Sequence, residues 1–433
     1  MRKAQMPHVY KRTFFSLYNI KMNKLFATLV MTIAANSIYS DQEYKIRTPF
    51  TVNTIVMNTV CNTSKTKTLQ SITHTPNMWC EERPGIPTCI TPVVNEWEKE
   101  NNKESYTLVM VGDTGASDNS KCLNAKHVYK AIREENKDMV VHLGDHSYAD
   151  GNAANWYTYI KDIHYMLENG TIPIVPVVGN HEYDYMNTDI CKMTNDPTMM
   201  FSDVRDDTDY IPAFAKSSSS DGECGVPYNS FFTFANMHNE KYEQGPFWYD
   251  VRVGNFAKLY VLSSEHETHS KSVQGMWLRS ILKKDRDDKI RWRILCIHRP
   301  FFNMILESKT KKDDKVALYH FNSLLDILDD MDIMFTGHQH LYARVENKFI
   351  RQVTIGTGGR NLDTLSDDSR YYSNNVKNVQ AVHGYGILNV DKNKLCFRFK
   401  NLNGAILDAF CEKYKKKTIA GEESIQPEEA FDQ

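Results

Sequence analysis

Apolar, strand-like runs that each end in a polar residue are the feature that most constrains the fold of this chain. Between the runs lie segments with helical spacing, such as residues 122–136, where Val128 and Ile132 fall on one helical face. Strands that alternate with helices indicate βαβ units and an α/β fold. Because the carboxyl ends of strands in such a sheet form its ligand-binding edge, the polar residues can meet there.

The residues that follow the strand-like runs share the donor chemistry of metal ligands. They are Asp113, Asp145, Asn180, His181, Glu265, His266, His298, His338 and His340. Taken singly, a strand-end Asp is usually a turn or helix cap, and a lone His is usually structural. The whole set favours a metal site, since carboxylate, amide oxygen and imidazole suit iron, zinc or manganese. Six or seven such ligands suit two ions ~3.5–4 Å apart, as in enzymes of phosphoryl transfer.

Five short blocks in the sequence resemble, in order, those of the purple acid phosphatases within the metallophosphoesterase superfamily. The blocks read GDTG (112–115), GDHSYADG (144–151), GNHEYD (179–184), LCIH (295–298) and GHQH (337–340). Tyr148 is the residue that distinguishes the purple branch. The stretches GECGVPY, SSEHE, IHRPFF and HGYGILNV are similar to the larger plant and fungal members, and the resemblance covers about residues 108–399. It implies a four-layer α-β-β-α sandwich of the metallophosphoesterase type, with a short atypical N-terminal region.

The resemblance also implies a role for each residue of the site. A ferric ion would be bound by Asp113, Asp145, Tyr148 and His340. A divalent ion (Zn, Fe or Mn) would be bound by Asp145, Asn180, His298 and His338, with Asp145 as the bridge. His181 and His266 match positions that contact phosphate and protonate the leaving oxygen. No such role falls to His146, whose position is commonly apolar in the family; it is expected at most to pack.

The function that this resemblance implies is hydrolysis of phosphate monoesters at acidic pH. Two alternatives stay open: a phosphodiesterase or nucleotide pyrophosphatase on the same scaffold, and a non-catalytic metal- or phosphate-binding protein. The expected partner is a phosphate ester. A net charge of −2, with no basic aromatic stripe, argues against nucleic acid. An oligomer is compatible with the sequence.

The two ends of the chain read differently from its middle. Residues 1–40 resemble a signal peptide and leader, since an apolar run at 25–35 follows Lys21 and Lys24 and is too short to span a bilayer. An uncleaved anchor is the alternative. We therefore expect a secreted protein or one in a vesicular or lysosomal lumen. We expect residues 41–104 to be a cysteine-containing region that is a truncated or replaced β-sandwich. Residues 105–414 are expected to form the catalytic domain, with an irregular insertion at 185–250, and residues 415–433 a disordered tail.

The nine cysteines suit an oxidising compartment, and their odd number leaves at least one without an internal partner. Cys396 and Cys411 lie symmetrically about Asn403-Gly404, a favoured two-residue hairpin turn, so they are expected to face each other in a hydrogen-bonded pair and to form a disulfide. Cys296, inside an apolar run, is the candidate for the unpaired thiol. Glycosylation sequons begin at Asn62 and Asn169.

Overall fold

The structure, a computed structural model, describes most of the chain from residue 42 onward. The described ranges are 42–57, 79–83, 86–94, 103–148, 153–182, 199–200, 213–214, 228, 231–232, 247–287, 290–304, 310–365 and 375–415. The predicted signal peptide, the sequon at Asn62, most of the predicted insertion and nearly all of the predicted tail lie outside these ranges. The division of the chain into domains stays a prediction.

Nineteen strands and four helices are described. The strands are β1 Gln42–Arg47, β2 Thr51–Met57, β3 Trp79–Arg83, β4 Ile86–Val94, β5 Ser105–Val111, β6 Met139–His142, β7 Ile174–Pro176, β8 Met199–Met200, β9 Ala213–Phe214, β10 Tyr249–Val253, β11 Ala257–Leu262, β12 Trp292–Ile297, β13 Ile333–Thr336, β14 Tyr342–Glu346, β15 Arg351–Ile355, β16 Val376–Gln380, β17 Gly384–Asp391, β18 Lys394–Asn401 and β19 Ile406–Lys413. The helices are α1 Ala125–Glu134, α2 Ala153–Met166, α3 Val273–Asp287 and α4 Thr310–Leu324. Short 3-10 turns span Asn180–Glu182 and Leu328–Asp330.

Two large mixed sheets form the centre of the fold. One has six strands in the order β19-β18-β17-β5-β6-β7, and the other has seven in the order β10-β11-β12-β13-β15-β14-β16. The strands β5, β6 and β7 are parallel, as are β11, β12, β13 and β15. From Gln352 onward the sequence pattern indicates antiparallel strands, but β15 pairs in parallel with β13 and antiparallel with β14. The chain reverses at the β14–β15 hairpin, and this brings β15 back parallel to β13.

The period-2 alternation of side chains along each strand divides the core into layers. Between the sheets, Leu108 and Met110 of β5 pack in one cluster with Leu259 and Val261 of β11. On the opposite face of β5, Val109 joins a cluster built from the helices. Its helical members include Val128 and Ile132 of α1, Trp156 and Ile160 of α2, and Trp277 and Leu278 of α3. Helix, sheet, sheet and helix therefore stack in four layers, as the resemblance implied.

A separate antiparallel sheet, in the order β1-β2-β4-β3, comes before the layered part of the chain. Tyr44 and Ile46 of β1 are buried, and the Tyr44 ring meets the ring of His164 on α2 edge-on at 5.3 Å. In the β3–β4 ladder Cys80 stands directly opposite Cys89. The sheet thus packs against α2 through β1.

The hairpin of β18 and β19 carries the predicted disulfide between Cys396 and Cys411, which the structure contains. Their Cα atoms are 4.1 Å apart, which is the spacing of a non-hydrogen-bonded pair. The prediction of a hydrogen-bonded pair, with its wider Cα spacing, is therefore wrong. The turn explains the difference. Asn401 donates its N–H to the Ala405 carbonyl across a three-residue loop, and Gly404 adopts a φ of +81° there. A register shift beside Phe399 restores the pairing of the two cysteines.

Cys296 has a free and buried thiol, as predicted from its apolar surroundings. The structure adds a second free thiol, Cys122, which is also buried. Burial raises the pKa of Cys122 to about 11, although the nearby Arg360 opposes the shift. Cys122 is therefore a thiol, and not a thiolate, over the physiological range.

Candidate metal centre

The predicted metal ligands all follow the carboxyl ends of parallel strands in the two sheets. Asp113, Asp145 and Asn180 come after β5, β6 and β7 of the six-stranded sheet. His298 follows β12, and His338 and His340 follow β13, in the seven-stranded sheet. Because the strands β5–β7 and β12–β13 each run parallel, the side chains of each set reach one sheet edge, and the two edges adjoin.

Three of these side chains, Asp145, His298 and His338, each offer a ligand atom within 4.8 Å of the others. His298 Nε2 lies 3.2 Å from Asp145 Oδ1 and 3.2 Å from Asn180 Oδ1. The Nδ1 atom of His298 is 2.7 Å from the Leu143 carbonyl, which therefore accepts its N–H. When the ring is neutral, this bond places the proton on Nδ1 and the lone pair on Nε2, where a metal ion could bind. The four residues predicted to bind a divalent ion are thus brought together.

A second group of three, Asp113, Asp145 and His340, meets the same 4.8 Å limit and shares Asp145 with the first. The buried Tyr148 hydroxyl lies 3.1 Å from Asp113 Oδ1, 3.1 Å from Asp145 Oδ2 and 3.3 Å from His340 Nε2. The four residues predicted to bind a ferric ion therefore surround one point. The donors in this half are mostly oxygen atoms, which suits a hard cation.

The backbone at three of the predicted ligands is held in the left-handed region. The φ angles are +58° at Asp113, +54° at Asp145 and +68° at His338. Such conformations cost roughly 1 kcal/mol or more each and persist where the surroundings enforce them. The glycine before each ligand gives room for this turn: a Cβ on Gly337 would lie 2.5 Å from Asp113 Oδ2. The strand ends are therefore shaped to aim these side chains inward.

Glu182 is a site residue to which the sequence pattern assigned no role. Its buried carboxylate accepts four backbone N–H groups: Gly179 at 2.6 Å and Asp145 at 2.9 Å on Oε2, and His146 at 2.6 Å and Ser147 at 3.2 Å on Oε1. It thereby ties the turn that carries Asn180 to the loop that carries Asp145 and Tyr148. Its position in the GNHE block was the only sequence signal for it.

The charges in the cluster stabilise one another. Burial alone would raise the pKa of Asp145, but the neighbouring His298 and His181 hold it well below its usual value. Burial opposes the charged form of His298, yet Asp145 and Asp113 raise its pKa to about 9. A metal ion that bound His298 would have to displace a proton, so binding there would be stronger at higher pH.

The two histidines predicted to act on substrate lie in different surroundings. The backbone N–H of His181 donates to Asp145 Oδ1 at 3.0 Å, and its half-buried ring lies 4.6 Å from the Tyr148 ring. His266 is buried: its Nδ1 is 2.7 Å from Ser263 Oγ, and its ring packs against two aromatic rings, those of Phe247 and Trp248. Burial lowers the pKa of His266 to about 3, so this side chain is neutral at moderately acidic pH.

Two arginines at the centre were not singled out from the sequence. Arg299, directly after His298, donates from Nε to Glu265 Oε1 at 2.7 Å and places Nη1 2.9 Å from His338 Nε2. The guanidinium of Arg360 stacks 4.5 Å above the ring of Tyr148. Arginine is common on protein surfaces, and only the folded chain shows that these two reach the cluster.

His146, to which the sequence assigned no role, packs beneath the centre. Its ring stacks on that of His142 at 3.9 Å, its Nδ1 is hydrogen-bonded to the Tyr159 hydroxyl and its Nε2 lies 3.0 Å from the Val177 carbonyl. Burial lowers its pKa to about 3. His146 therefore supports the loop of Asp145 as a neutral side chain.

The donor set fits a pair of metal ions. Two groups of buried or half-buried ligand atoms share one carboxylate, and the donors are carboxylate, imidazole, phenol and amide oxygen. Among the residues that the structure describes, these are the groups of three or more His, Cys, Asp and Glu side chains close enough to hold an ion. Thiolates contribute to neither group, unlike in most structural zinc sites.

Comparison with known proteins shows that the sequence of this chain is similar to those of phosphoesterases. The family model of calcineurin-like phosphoesterases matches residues 106–342. A plant protein named "Probable inactive purple acid phosphatase 27" (Arabidopsis thaliana) is 23% identical over 319 residues, which cover 68% of this chain and 46% of that protein. A "Nucleotide pyrophosphatase/phosphodiesterase" from Hordeum vulgare is 27% identical over 301 residues, which cover 64% of this chain and 72% of that protein.

The same fold occurs in a solved structure, that of a purple acid phosphatase from yellow lupin (Lupinus luteus) seeds. The TM-score is 0.59 at 16% identity, with 85% of this chain and 73% of that chain covered. The chain spans less than half the length of the first curated relatives that it matches, at 46%, 31% and 29%.

Proposed function

The chain belongs to the calcineurin-like phosphoesterase family, and we propose that it is an acid phosphatase that hydrolyses phosphate monoesters at a binuclear metal centre. One observation carries the proposal: the two groups of ligand atoms share Asp145, each group within 4.8 Å. A shared carboxylate is the arrangement that holds two ions close enough to act on one phosphoryl group.

In this proposal a ferric ion would be held by Asp113, Asp145, Tyr148 and His340. A divalent ion, Zn, Fe or Mn, would be held by Asp145, Asn180, His298 and His338. When bound, the ions supply Lewis acidity toward the phosphoryl oxygens and lower the pKa of water so that a nucleophile exists below neutral pH.

The remaining steps belong to side chains of the chain itself. Asp145 bridges the two halves, and the bonds that Glu182 accepts fix the loop from which Asp145 projects. His181, whose backbone is bonded to Asp145 and whose ring lies beside Tyr148, is placed to contact the phosphate and protonate the leaving oxygen. His266 is proposed for the same position beside the phosphate from the resemblance; because burial lowers its pKa to about 3, it contacts the phosphate as a neutral hydrogen-bond donor, and the proton for the leaving oxygen is assigned to His181.

Two other functions are compatible with the same scaffold. The barley relative is named a nucleotide pyrophosphatase/phosphodiesterase, which favours a diester or diphosphate substrate as the second candidate. The Arabidopsis relative is named "Probable inactive", which favours a metal- or phosphate-binding protein without turnover as the third. Because this chain has all of the proposed metal ligands, we favour a catalytically active protein over the third candidate.

Metal analysis combined with a substrate panel tests the proposal. Purified protein should contain two metal ions per chain, one of them iron, and should hydrolyse a nitrophenyl monoester faster than the bis-nitrophenyl diester. Asn180→Ala and His298→Ala, each assigned to the divalent ion alone, should lose that ion and most activity while the protein stays folded. A faster rate on diesters or diphosphates selects the second candidate. Two bound metals without turnover on any phosphoester select the third.

Secretion or delivery to a vesicular or lysosomal lumen is proposed from the N-terminal sequence. The Cys396–Cys411 disulfide supports an oxidising compartment, and Asn169, the start of a sequon, is exposed. Within the described ranges no helix has the length and apolar character to cross a bilayer.

A further inference from the structure

Arg299 is anchored beside the divalent half of the centre by a buried ion pair. Its Nε donates to Glu265 Oε1 at 2.7 Å, with side-chain exposures of 9% and 2%. Glu265 is held in turn by the Ser264 hydroxyl at 3.2 Å. The Arg299 backbone N–H is 3.3 Å from the same hydroxyl oxygen. The guanidinium is therefore oriented before any substrate arrives.

The far end of this guanidinium reaches a proposed metal ligand. Nη1 lies 2.9 Å from Nε2 of His338, which accepts its N–H in this arrangement. A metal ion bound at Nε2 would take the lone pair that accepts this bond. A metal ion bound at Nδ1 would leave the proton on Nε2, which then cannot accept either. In both cases Arg299 loses His338 as an acceptor when the divalent ion binds.

Arg344, whose side chain is 15% exposed, provides a comparison away from the centre. Arg344 also donates from Nε to a carboxylate, Asp408 Oδ2, at 2.7 Å. Its remaining nitrogens are bonded to carboxylate oxygens of Asp408 and Glu346, so the whole fork faces negative charge. Arg299 places Nη1 against the imidazole of His338 at the edge of the ligand cluster.

We propose that Arg299 binds a non-bridging phosphoryl oxygen of the substrate on the divalent side of the centre. This inference rests on the proposed function and adds a substrate-binding residue to it. A guanidinium is always charged, and its planar N–H groups match phosphate geometry, so it suits this place better than a second imidazole. Because Arg299 is already oriented by Glu265, little side-chain entropy is lost on binding.

The test measures binding of inorganic phosphate to the metal-loaded protein by isothermal titration calorimetry. Removing Arg299 alone would leave Glu265 buried and unpaired, which risks misfolding. The double variant Arg299→Met/Glu265→Gln removes both charges and avoids that problem. Arg344→Met/Asp408→Asn removes a matched pair away from the centre. Metal content and circular dichroism are recorded for all three proteins.

We expect the Arg299 double variant to keep both metals and to bind phosphate on the order of 10–100-fold more weakly, the range of one charge-assisted hydrogen bond. The Arg344 control should bind phosphate like the wild type. Wild-type phosphate affinity in the Arg299 variant overturns the inference and leaves the proposed function intact. Loss of metal from that variant also overturns it, since Arg299 would then support His338 and not the substrate. A metal-loaded wild type that binds no phosphate overturns both.

Discussion

The backbone N–H of Asp145 donates to the Glu182 carboxylate at 2.9 Å, and this bond joins the shared ligand of the proposed metal pair to the turn that carries Asn180. Glu182 is not one of the proposed ligands; it accepts N–H groups from both loops. Burial and the charge of Asp145 raise the pKa of Glu182, and His298 and the N–H groups of Gly179 and Ser147 oppose this shift. Its two oxygens face N–H donors only, whereas an amide presents an NH₂ group to some of them.

Glu182→Gln is therefore expected to weaken metal binding by about 10–100-fold, the usual range for a partner behind the ligands. The fold should survive, because the layered core is not changed. Metal affinity can be measured by competition with a chelator. The matched control is Glu135→Gln, since Glu135 accepts bonds from Tyr385 and Lys400 elsewhere on the surface. Equal metal affinities in the two variants would show that Glu182 does not support the metal ligands.

The variants His181→Ala and His266→Ala should both retain their metal ions and have a lower kcat. If general acid catalysis is removed, the expected decrease in kcat is about 10²–10⁴-fold. We expect the larger leaving-group dependence for His181, because its contacts with Asp145 and Tyr148 place it at the cluster. The loss should shrink with nitrophenyl esters, whose leaving group needs no proton, and be fullest with alkyl esters. A loss of the same size on both ester types would mean that the residue positions phosphate instead.

Tyr148→Phe tests the ferric half of the centre. The phenol oxygen lies 3.1 Å from both Asp113 and Asp145, and the substitution removes only that oxygen. Burial and these carboxylates hold the pKa of the phenol well above its usual value, so a ferric ion bound here would have to displace the phenol proton. Iron-loaded wild type should be violet, as in the family it resembles, and the Phe variant should lose the visible band and bind iron more weakly. An unchanged spectrum in that variant, or colourless iron-loaded wild type, rules out a phenolate ligand.

Buried neutral histidines predict that the protein loses stability in acid. Burial lowers the pKa of His320 to about 4, and its nitrogens are bonded to Thr268 Oγ1 and the Ser264 carbonyl, each at 2.9 Å. The unfolded chain binds this proton near pH 6.5, whereas the folded chain does not. The contribution to stability is thus complete above about pH 6.5 and is lost as the pH falls toward 4.

Between pH 7 and pH 4, the free energy of unfolding should therefore decrease by about 2–3 kcal/mol less in His320→Gln than in the wild type. Urea denaturation at several pH values measures this slope. The control His127→Gln changes an exposed histidine on α1 and should keep the wild-type slope. If both variants show that slope, His320 does not contribute to acid sensitivity.

Local sequence patterns were enough for the strand–helix order and for the donors at the strand ends. Period-2 and helical spacings depend on near neighbours, so β5, β6, β12 and β13 could be placed before the fold was known. The pairing of Cys396 with Cys411 was also found this way. The type of turn was not predicted correctly. The bulge beside Phe399 compensates for the longer loop, so Cys396 and Cys411 are paired in either case and residue counting cannot distinguish the two turns.

Tertiary structure alone decided how the two sheet edges meet. His338 donates its backbone N–H to Asp113 across 225 residues, and His298 donates to the Leu143 carbonyl across 155. No local pattern encodes such contacts, since they form only when the inner faces of both sheets are buried together. The same long-range packing turns Glu182 under the loop of Asp145 and directs Arg299 at His338. The sequence determined which donor groups are available, and the packing of the two sheets determined their distances and their supporting partners.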